Sequence, residues 1–312
     1  MSAHVLVTGG AGYLGSILCE HLLHTGYRVT VLDSLRYGGR SLFHLCAHPR
    51  FDFIHGDVRD EALVRSLVAK ADTIVPLAAI VGAPACNLEP DVAQSTNLDA
   101  IRLINRVRST TQLVIFPTTN SGYGIGERDV LCTEETPLRP VSLYGRLKVE
   151  AERMVLDEAN TISLRLATVF GISPRMRLDL LVNDFVYRAV TDGFVVLFEA
   201  DFKRNYIHVR DVARAFNHCL TNFARMKGEP YNVGLNEANL SKRELCEEIR
   251  KQVPRFSVVE AEVGRDPDQR NYIVSNAKIE RTGFKPLVSL ETGIAELVKG
   301  YQVIRRPGYS NV

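Results

Sequence analysis

A tyrosine and a lysine four residues apart, Tyr144 and Lys148, have the side-chain types and the spacing needed for proton transfer. In an α-helix this spacing places the phenol and the ammonium on one face. A nearby ammonium stabilises the phenolate, so it lowers the tyrosine pKa from about 10 toward neutral pH. The pair therefore predicts a general base, although the same spacing alone is also typical of a solvated helix face.

The segment 9–15, GGAGYLG, predicts a phosphate-binding turn. It follows an apolar strand and precedes a helical pattern, so its glycines let the backbone approach a pyrophosphate at a helix N-terminus. Asp33 closes the second strand about 20 residues on, where a carboxylate accepts hydrogen bonds from ribose hydroxyls and repels a 2′-phosphate. We therefore predict NAD as cofactor, with NADP as the alternative because Arg36 lies close by in the sequence. The predicted contacts here are Gly9, Gly12, Tyr13, Leu14, Gly15 and Asp33.

The first half of the sequence alternates short β-rich apolar runs with longer segments of helical spacing, which is the pattern of βαβ units. We expect strands at His4–Thr8, Tyr27–Asp33, Asp52–His55, Thr73–Leu77, Leu113–Pro117 and Ile162–Val169. We expect helices at Tyr13–Thr25, Glu61–Val68, Val92–Arg108 and Leu143–Glu158. Right-handed crossovers then give an α/β fold with a doubly wound parallel Rossmann sheet.

The pattern becomes less regular after Phe170 and Gly171, which predicts a smaller α/β substrate-binding domain. Its expected elements are a helix at Leu178–Thr191, a strand at Val195–Phe198, a helix at Val212–Phe223, a strand at 230–234, and helices at Lys242–Gln252 and Leu290–Tyr301. We assign residues 1–172 to the NAD-binding domain, to which 205–224 return. Residues 173–204 and 225–312 form the second domain.

Composition and charge exclude several classes of protein. With 312 residues, 46% hydrophobic and 24% charged, the chain is typical of a globular protein rather than a disordered or fibrous one. Its 38 basic and 36 acidic residues give a net charge of +2, so no overall field favours nucleic acid or an anionic membrane as partner. The six cysteines have no zinc-ligand spacing, and from the sequence we expect neither a signal peptide nor a membrane span. We expect free thiols, no metal and a cytoplasmic location.

Several further motifs make the chain resemble the extended short-chain dehydrogenase/reductase superfamily of nucleotide-sugar epimerases, dehydratases and oxidases over essentially its whole length. They are residues 8–15, Gly56-Asp57-Val58, Leu77-Ala78-Ala79, Asn97, residues 118–124 (TTNSGYG), Tyr144 to Lys148, and residues 206–212 (YIHVRDV). The resemblance implies cofactor contacts by Asp57, Val58, Leu77, Ala78, Ala79, Asn97, Tyr144 and Lys148, and catalytic roles for Tyr144, Lys148 and Thr119. For Asp57, a simple strand-end turn fits equally well. The resemblance also implies a homodimer or a higher homo-oligomer, built from the helices at 92–108 and 143–158.

The reaction step that these enzymes share is hydride transfer from C4 of a sugar to NAD, while Tyr144 removes the hydroxyl proton. In the 4,6-dehydratases an Asp-Glu pair follows the catalytic threonine, whereas here Asn120 and Ser121 follow Thr119. Neither side chain can ionise to supply an acid and a base, so dehydration is disfavoured. A 4-epimerase needs only room for the keto sugar to rotate, so it stays open as the alternative. A non-catalytic dinucleotide-sensing module is the third interpretation.

Segments 78–84, 119–124 and 171–179 are most similar to the GDP-heptose 4-dehydrogenases. This resemblance implies GDP-D-glycero-α-D-manno-heptose as substrate and its 4-keto derivative as product. One departure is Thr168, which stands where an asparagine is common in the superfamily. The usual contact with the substrate phosphates is therefore altered at this position.

The two phosphates of such a nucleotide sugar require cationic partners, and the planar guanidinium of arginine matches their oxygens. Among Arg175, Arg177, Arg204, Arg265 and Arg270, sequence position favours Arg204 and Arg270, then Arg175, with a solvated arginine as the alternative for each. Asn183 matches a superfamily asparagine at the nucleotide, with a structural cap or an exposed polar residue as the alternative. The predicted substrate contacts are Val81, Gly82, Thr119, Asn120, Ser121, Thr168, Arg175, Asn183, Arg204 and Arg270. We expect His208 to pack within its strand rather than to titrate in catalysis.

Overall fold

The computed structural model describes residues 3–127, 129–261 and 270–304. The strands are β1 His4–Thr8, β2 Arg28–Asp33, β3 Phe51–His55, β4 Thr73–Pro76, β5 Leu113–Thr119, β6 Leu131–Cys132, β7 Thr161–Leu166, β8 Thr168–Phe170, β9 Phe194–Leu197, β10 Lys203–His208, β11 Pro230–Val233, β12 Asn239–Ser241, β13 Ser257–Glu260 and β14 Ile273–Val274. The helices are α1 Tyr13–His24, α2 Glu61–Val68, α3 Ala83–Leu88, α4 Pro90–Gln94, α5 Ala100–Val107, α6 Leu143–Leu156, α7 Leu181–Thr191, α8 Val209–Thr221, α9 Phe223–Met226, α10 Lys242–Gln252, α11 Ala277–Arg281 and α12 Leu290–Val303.

Seven parallel strands of the described chain form a large sheet in the order β11-β7-β5-β4-β1-β2-β3. The order reverses at β1, because β2 lies on one side of it and β4 on the other. Thr8 at the end of β1 is in register with Leu32 of β2 and with Pro76 of β4, so these strands end at one edge. Ligands of open parallel sheets bind outside such an edge, at the point of reversal. The predicted doubly wound Rossmann sheet is confirmed.

Helices cover both faces of the large sheet. On one face, Leu18 and Leu22 of α1 pack with Phe216 of α8 in a buried cluster that includes the side chains of β1 and β2. On the other face, Ile104 of α5 packs with Ala151 of α6 and with apolar residues of α2. These apolar stripes at helical spacing explain why the segments form helices against the sheet. The result is a rigid frame whose strand ends are fixed relative to one another.

The predicted strand Ile162–Val169 is wrong as a single element, because the chain leaves the large sheet at Ala167. The Ala167 N–H donates to the Val233 carbonyl at 2.9 Å as the last bond of that ladder. The next residues form β8, which pairs with β10 in a separate sheet. A continuous apolar run in the sequence does not show at which residue a strand changes its partner.

The predicted helix Val92–Arg108 is interrupted. The structure has α4, then a π-helical turn at Ser95–Asp99, then α5. The apolar spacing continues through the turn, so sequence periodicity alone could not locate it. Such single π turns often occur at functional positions, and this one contains Asn97.

Strand β11 pairs with β7 at the edge of the large sheet, although the sequence-based division placed residues 225–312 in the second domain. This strand therefore has to be assigned to the large sheet. A further core joins α7, α10 and α12 to β10, with Phe185, Tyr206 and Leu297 among its buried side chains. No helix within the described ranges is long and apolar enough to cross a membrane. All six cysteines are free thiols.

Candidate active site

The glycine turn between β1 and α1 forms a close-packed cradle. Gly9 has φ +74°, and a Cβ on it would lie 2.6 Å from the Ala78 backbone nitrogen. A Cβ on Gly15 would lie 2.4 Å from the Gly9 carbonyl oxygen. Glycine is therefore required at both positions, and the first turn of α1 lies directly on the end of β1. Because Gly12 caps α1 without a side-chain hydrogen bond, the cradle fits the pyrophosphate of a dinucleotide.

Asp33, at the end of β2, braces this cradle. Its Oδ2 accepts a hydrogen bond from the Ala11 N–H at 2.9 Å, and its Oδ1 accepts one from the Leu35 N–H at 2.8 Å. Burial raises the pKa of the carboxyl group, and the two backbone N–H groups oppose this shift. Each carboxylate oxygen has a second lone pair, so Asp33 can also accept hydrogen bonds from ribose hydroxyls, as the sequence predicts.

We expect NAD to bind about 10²-fold more tightly than NADP, because placing a 2′-phosphate beside the Asp33 carboxylate costs several kcal/mol. Arg36, the cation that could offset this repulsion, pairs with Glu89. Asp33→Asn should remove most of the preference, whereas Asp52→Asn, which removes an exposed carboxylate paired with Arg28, should leave it intact. Calorimetric titration with both dinucleotides measures the ratio. Equal affinities for the unaltered protein would contradict this role of Asp33.

Asn97 positions the loop that follows β4. The Leu77 N–H donates to the Thr8 carbonyl at 2.9 Å, so residues 77–79 lie beside the glycine turn. Asn97 Oδ1 accepts from the Ile80 N–H at 2.7 Å, and Asn97 Nδ2 donates to the Ile80 carbonyl at 2.9 Å. The sequence predicts a cofactor contact for Asn97. The structure places its amide on the backbone of Ile80, where it holds the loop that adjoins the cradle.

Asp57 and Val58 follow β3 at the same edge of the sheet. The Asp57 carboxylate accepts hydrogen bonds from the Arg59 side chain at 2.9 and 2.6 Å. These bonds hold the pKa of Asp57 below its usual range. Val58 packs into the core beneath α2. The sequence left two interpretations of Asp57 open, a cofactor contact and a simple strand-end turn. The local pairing with Arg59 is the one that a strand-end turn would have.

A short chain of hydroxyl groups lies at the carboxyl end of β5. The Thr119 Oγ1 atom is 2.9 Å from the Ser121 Oγ atom and accepts a hydrogen bond from the Ser121 N–H at 3.1 Å. Arg270, from the second domain, donates to the Ser121 hydroxyl. Asn120 between them is 1% exposed, and its two amide atoms have no hydrogen-bond partner within the described chain. Because an unpartnered buried amide destabilises a fold, it is expected at a functional site rather than a structural one.

Helix α6 brings Tyr144 and Lys148 to this strand end. Ser142 caps the helix by accepting a hydrogen bond from the Gly145 N–H at 3.1 Å. A Cβ on Gly145 would lie 3.5 Å from the Ser121 carbonyl oxygen, so the first turn of α6 packs against the turn after β5. The predicted tyrosine, lysine and threonine therefore come from two adjoining elements at the edge where ligands bind.

Lys148 lies in an apolar environment. It is 5% exposed, and its Nζ is 4.1 Å from the centre of the Phe116 ring of β5. Burial lowers the pKa of the Lys148 ammonium to about 7, and the negative charge of Glu152 opposes this shift. The lysine can therefore hold or release a proton near neutral pH, and its charged form can stabilise a phenolate on Tyr144.

Sequence reasoning missed a buried ion pair between Glu152 of α6 and Arg165 of β7. The Arg165 Nη2 atom donates to Glu152 Oε1 at 2.7 Å, and the Ser163 hydroxyl donates to Glu152 Oε2 at 2.8 Å. The Arg165 Nη1 atom donates to the Tyr123 hydroxyl at 3.1 Å. The pair thus links α6 to the turn after β5. Helical spacing from Lys148 was a signal for Glu152, whereas nothing in the sequence pointed to Arg165.

Arg204 and Arg270 both lie close enough to Tyr206 for their charges to act on it. Both charges act to lower the pKa of the Tyr206 hydroxyl, although burial raises it more strongly. Arg204 is buried, and the Tyr206 hydroxyl has no hydrogen-bond partner in the part of the chain that the structure describes. Thr168 is in register with Tyr206 on the adjacent strand. Three predicted substrate contacts, Arg204, Arg270 and Thr168, therefore all lie around Tyr206.

The other predicted substrate contacts do not lie around Tyr206. Asn183 Oδ1 accepts from the Gly171 N–H at 3.0 Å, and its Nδ2 donates to the Arg177 carbonyl at 2.9 Å. Asn183 is therefore buried inside α7 and holds the preceding loop, so it is neither the cap of the helix nor an exposed residue. Arg175 stacks over Tyr37, in the segment that follows β2. Gly82 precedes α3 with φ +97°, next to the exposed Val81. Arg265 lies outside the described residues.

His208 has the packing role that the sequence predicts. It is buried at the start of α8, where its Nδ1 accepts from the Arg210 N–H at 3.2 Å. Burial lowers the pKa of the ring to about 4, so the imidazole is neutral at neutral pH. Among the residues that the structure describes, no group of His, Cys, Asp and Glu side chains could hold a metal ion.

Comparison with known proteins agrees with this geometry. The model of the NAD dependent epimerase/dehydratase family matches residues 5–234. The chain is 31% identical to the low-salt glycan biosynthesis protein Agl12 of Haloferax volcanii, over 95% of this chain and 98% of the relative. It is also 31% identical to a dTDP-glucose 4,6-dehydratase of Actinoplanes sp., over 96% and 98%. The structure of Thermus thermophilus UDP-glucose 4-epimerase in complex with NAD superimposes with a TM-score of 0.82, at 25% identity, over 96% of this chain and 99% of the other.

Proposed function

Because the chain belongs to the NAD-dependent epimerase/dehydratase family, we propose that it oxidises C4 of a nucleotide-linked sugar, with Tyr144 as the general base. The observation that supports this most is the placement of Tyr144 and Lys148 on α6 against the turn that follows Thr119. That turn lies at the same sheet edge as the glycine cradle, so a sugar there lies beside a bound dinucleotide. The family acts on nucleotide sugars with NAD, and the residues of the cradle fit that cofactor.

Each residue has a defined task in this proposal. Tyr144 removes the proton from the sugar O4 hydroxyl, and Thr119 donates a hydrogen bond to the same oxygen. Charged Lys148 stabilises the Tyr144 phenolate before the proton arrives. NAD, when bound, accepts the hydride from C4. Asp33 and the glycine cradle orient the cofactor, and Asn97 fixes the neighbouring loop.

We propose that the reaction stops at the 4-keto sugar. Elimination of water across C5 and C6 needs a proton acceptor and a proton donor. Asn120 and Ser121 occupy the positions after Thr119, and neither side chain ionises near neutral pH. Ser121 is also engaged by Thr119 and Arg270. The related dTDP-glucose 4,6-dehydratase therefore shares the fold with this chain and, on our proposal, not the elimination step.

The substrate that we propose first is GDP-D-glycero-α-D-manno-heptose. The support is the similarity of segments 78–84, 119–124 and 171–179 to GDP-heptose 4-dehydrogenases, together with the buried Arg204 and the nearby Arg270 as partners for a diphosphate. No side chain of the described chain is assigned to the guanine. The choice of base therefore depends on the resemblance alone.

A 4-epimerase is the second candidate. The observation that favours it is the structural match to UDP-glucose 4-epimerase, together with the shared need for a base at O4 and no acid-base pair for elimination. In that case the 4-keto sugar rotates and takes the hydride back on its other face. The same Tyr144 would then return the proton to O4.

A panel of GDP-, UDP- and dTDP-sugars, each incubated with the protein and NAD, distinguishes these candidates. We expect the GDP-heptose to be converted fastest, with NADH formed in step with the 4-keto product. Product structure from NMR and NADH absorbance are the two measurements. Conversion of a UDP- or dTDP-sugar alone would overturn the GDP assignment, and isomer formation without NADH would favour the epimerase.

A further inference from the structure

The loop at 171–180, which the sequence places on the sugar side, is attached to the first turn of α1. The Ser173 hydroxyl donates to the Tyr13 carbonyl at 2.7 Å, and the Tyr13 hydroxyl donates to the Gly171 carbonyl at 2.7 Å. Asn183 donates to the Tyr13 hydroxyl at 3.3 Å. Since α1 begins at the glycine cradle, this loop is fixed next to the place where coenzyme phosphates bind.

The segment that follows β2 is attached to the other side of the same turn. Asp33 accepts a hydrogen bond from the Ala11 N–H, and the Ser41 hydroxyl donates to the Ala11 carbonyl at 2.8 Å. Tyr37 lies between these two anchors and is 40% exposed. The segment that carries Tyr37 is therefore anchored to Ala11 of the cradle on both sides of Tyr37 in the sequence.

Arg175 joins the two segments. Its guanidinium carbon lies 5.0 Å from the centre of the Tyr37 ring, although the two residues are far apart in the sequence. The Arg175 N–H donates to the Ser173 hydroxyl at 3.3 Å, and the guanidinium donates to the Met176 carbonyl. Stacking occupies the flat face of a guanidinium and leaves its edge for hydrogen bonds, which is the geometry that matches phosphate oxygens.

We propose that Arg175 binds the pyrophosphate of the dinucleotide, rather than the phosphates of the nucleotide sugar that the sequence indicated. Its backbone is attached to the first turn of α1 through Ser173, and its side chain stacks on Tyr37, whose segment is anchored to the glycine cradle. The cationic edge therefore adds a side-chain ligand to the backbone N–H groups of that turn. Arg204 and Arg270 remain for the sugar nucleotide. The proposal depends on the coenzyme alone and is independent of the identity of the sugar.

Binding measurements without turnover test it. Calorimetry with NAD, ADP-ribose and adenosine separates a pyrophosphate contact from an adenosine contact. Arg175→Met should weaken NAD and ADP-ribose about ten- to a hundredfold, as for a lost charge-assisted hydrogen bond, and should leave adenosine unchanged. Tyr37→Leu should give a smaller loss with both ligands. The control Arg188→Met removes an exposed arginine paired with Asp184 and should change nothing.

One further variant and one further set of ligands distinguish a coenzyme contact of Arg175 from a substrate contact or from misfolding. Arg175→Lys retains the charge without the planar stack, so it should restore part of the NAD affinity even if Arg175→Met folds poorly. GDP and UDP should bind the Arg175 variants as they bind the original protein. Weaker GDP or UDP binding with unchanged NAD binding would overturn the proposal and return Arg175 to the substrate. Unchanged NAD affinity, or an equal loss for adenosine, would overturn it as well.

Discussion

Tyr144→Phe should lower kcat by about 10²- to 10⁴-fold, the range for loss of a positioned general base. The substitution removes only the hydroxyl that takes the O4 proton, and the phenyl ring keeps its packing against the core beside α6. NAD affinity should change little, because the glycine cradle and Asp33 are untouched. Steady-state turnover of the nucleotide sugar and a separate NAD titration measure the two effects.

Two further variants serve as comparisons for Tyr144→Phe. Thr119→Ala should lower kcat by less, on the order of 10²-fold, as expected when one hydrogen-bond donor to a developing charge is lost. Tyr27→Phe removes a hydroxyl at the opposite edge of the sheet and should leave kcat unchanged. Substantial turnover by Tyr144→Phe would contradict the assignment. Tyr123 could not then replace it at neutral pH, because burial raises the pKa of its hydroxyl to about 12.

Arg165→Met should lower the free energy of unfolding by about 3–5 kcal/mol, the usual range when one member of a buried ion pair is removed. The Glu152 carboxylate is only 2% exposed and would be left without its counter-charge. Urea denaturation measures the loss. Glu150→Gln is a matched control on the same helix, since it breaks an exposed pair with Arg102 and should cost less than about 1 kcal/mol.

The same pair should also act on catalysis through Lys148. Glu152→Gln removes a negative charge and so lowers the Lys148 pKa further. Less Lys148 ammonium is then present to stabilise the Tyr144 phenolate, so the pH below which kcat falls should move upward. Arg165→Met leaves the Glu152 charge unopposed and should move that pH downward. Opposite shifts of the kcat pH profile in the two variants would show that the Glu152–Arg165 pair acts on catalysis through Lys148. Loss of stability with an unchanged pH profile in both variants would contradict it.

The parts of the site that depend on local spacing could be predicted from sequence. Glycines 9 to 15 lie between a strand and a helix, and Tyr144 and Lys148 are one helical turn apart, so backbone geometry alone fixes their relative placement. The parallel sheet then follows from the βαβ alternation, and it brings Thr119 to the same edge. None of these inferences needs the partner of a side chain to be known.

The parts that depend on distant partners could not be predicted. Asn97 holds Ile80, and Arg165 pairs with Glu152, through contacts that only the folded chain brings together. A polar residue in a sequence does not show whether its hydrogen bonds go to a ligand or to a neighbouring backbone. For the same reason, the sequence position that suggested Arg175 as a partner of the sugar phosphates gave no indication that it stacks on the Tyr37 ring.

The mass of the product distinguishes oxidation or epimerisation at C4 of the sugar from elimination of water across C5 and C6. The protein is incubated with NAD and GDP-D-glycero-α-D-manno-heptose, and the nucleotide sugar is analysed by mass spectrometry. On our account Asn120 and Ser121 supply neither acid nor base, so the product is lighter by two hydrogens and retains its C6 hydroxyl. An epimer of unchanged mass is the corresponding result for the second candidate. A product lighter by one water molecule would contradict the account, since other residues would then have to catalyse the elimination.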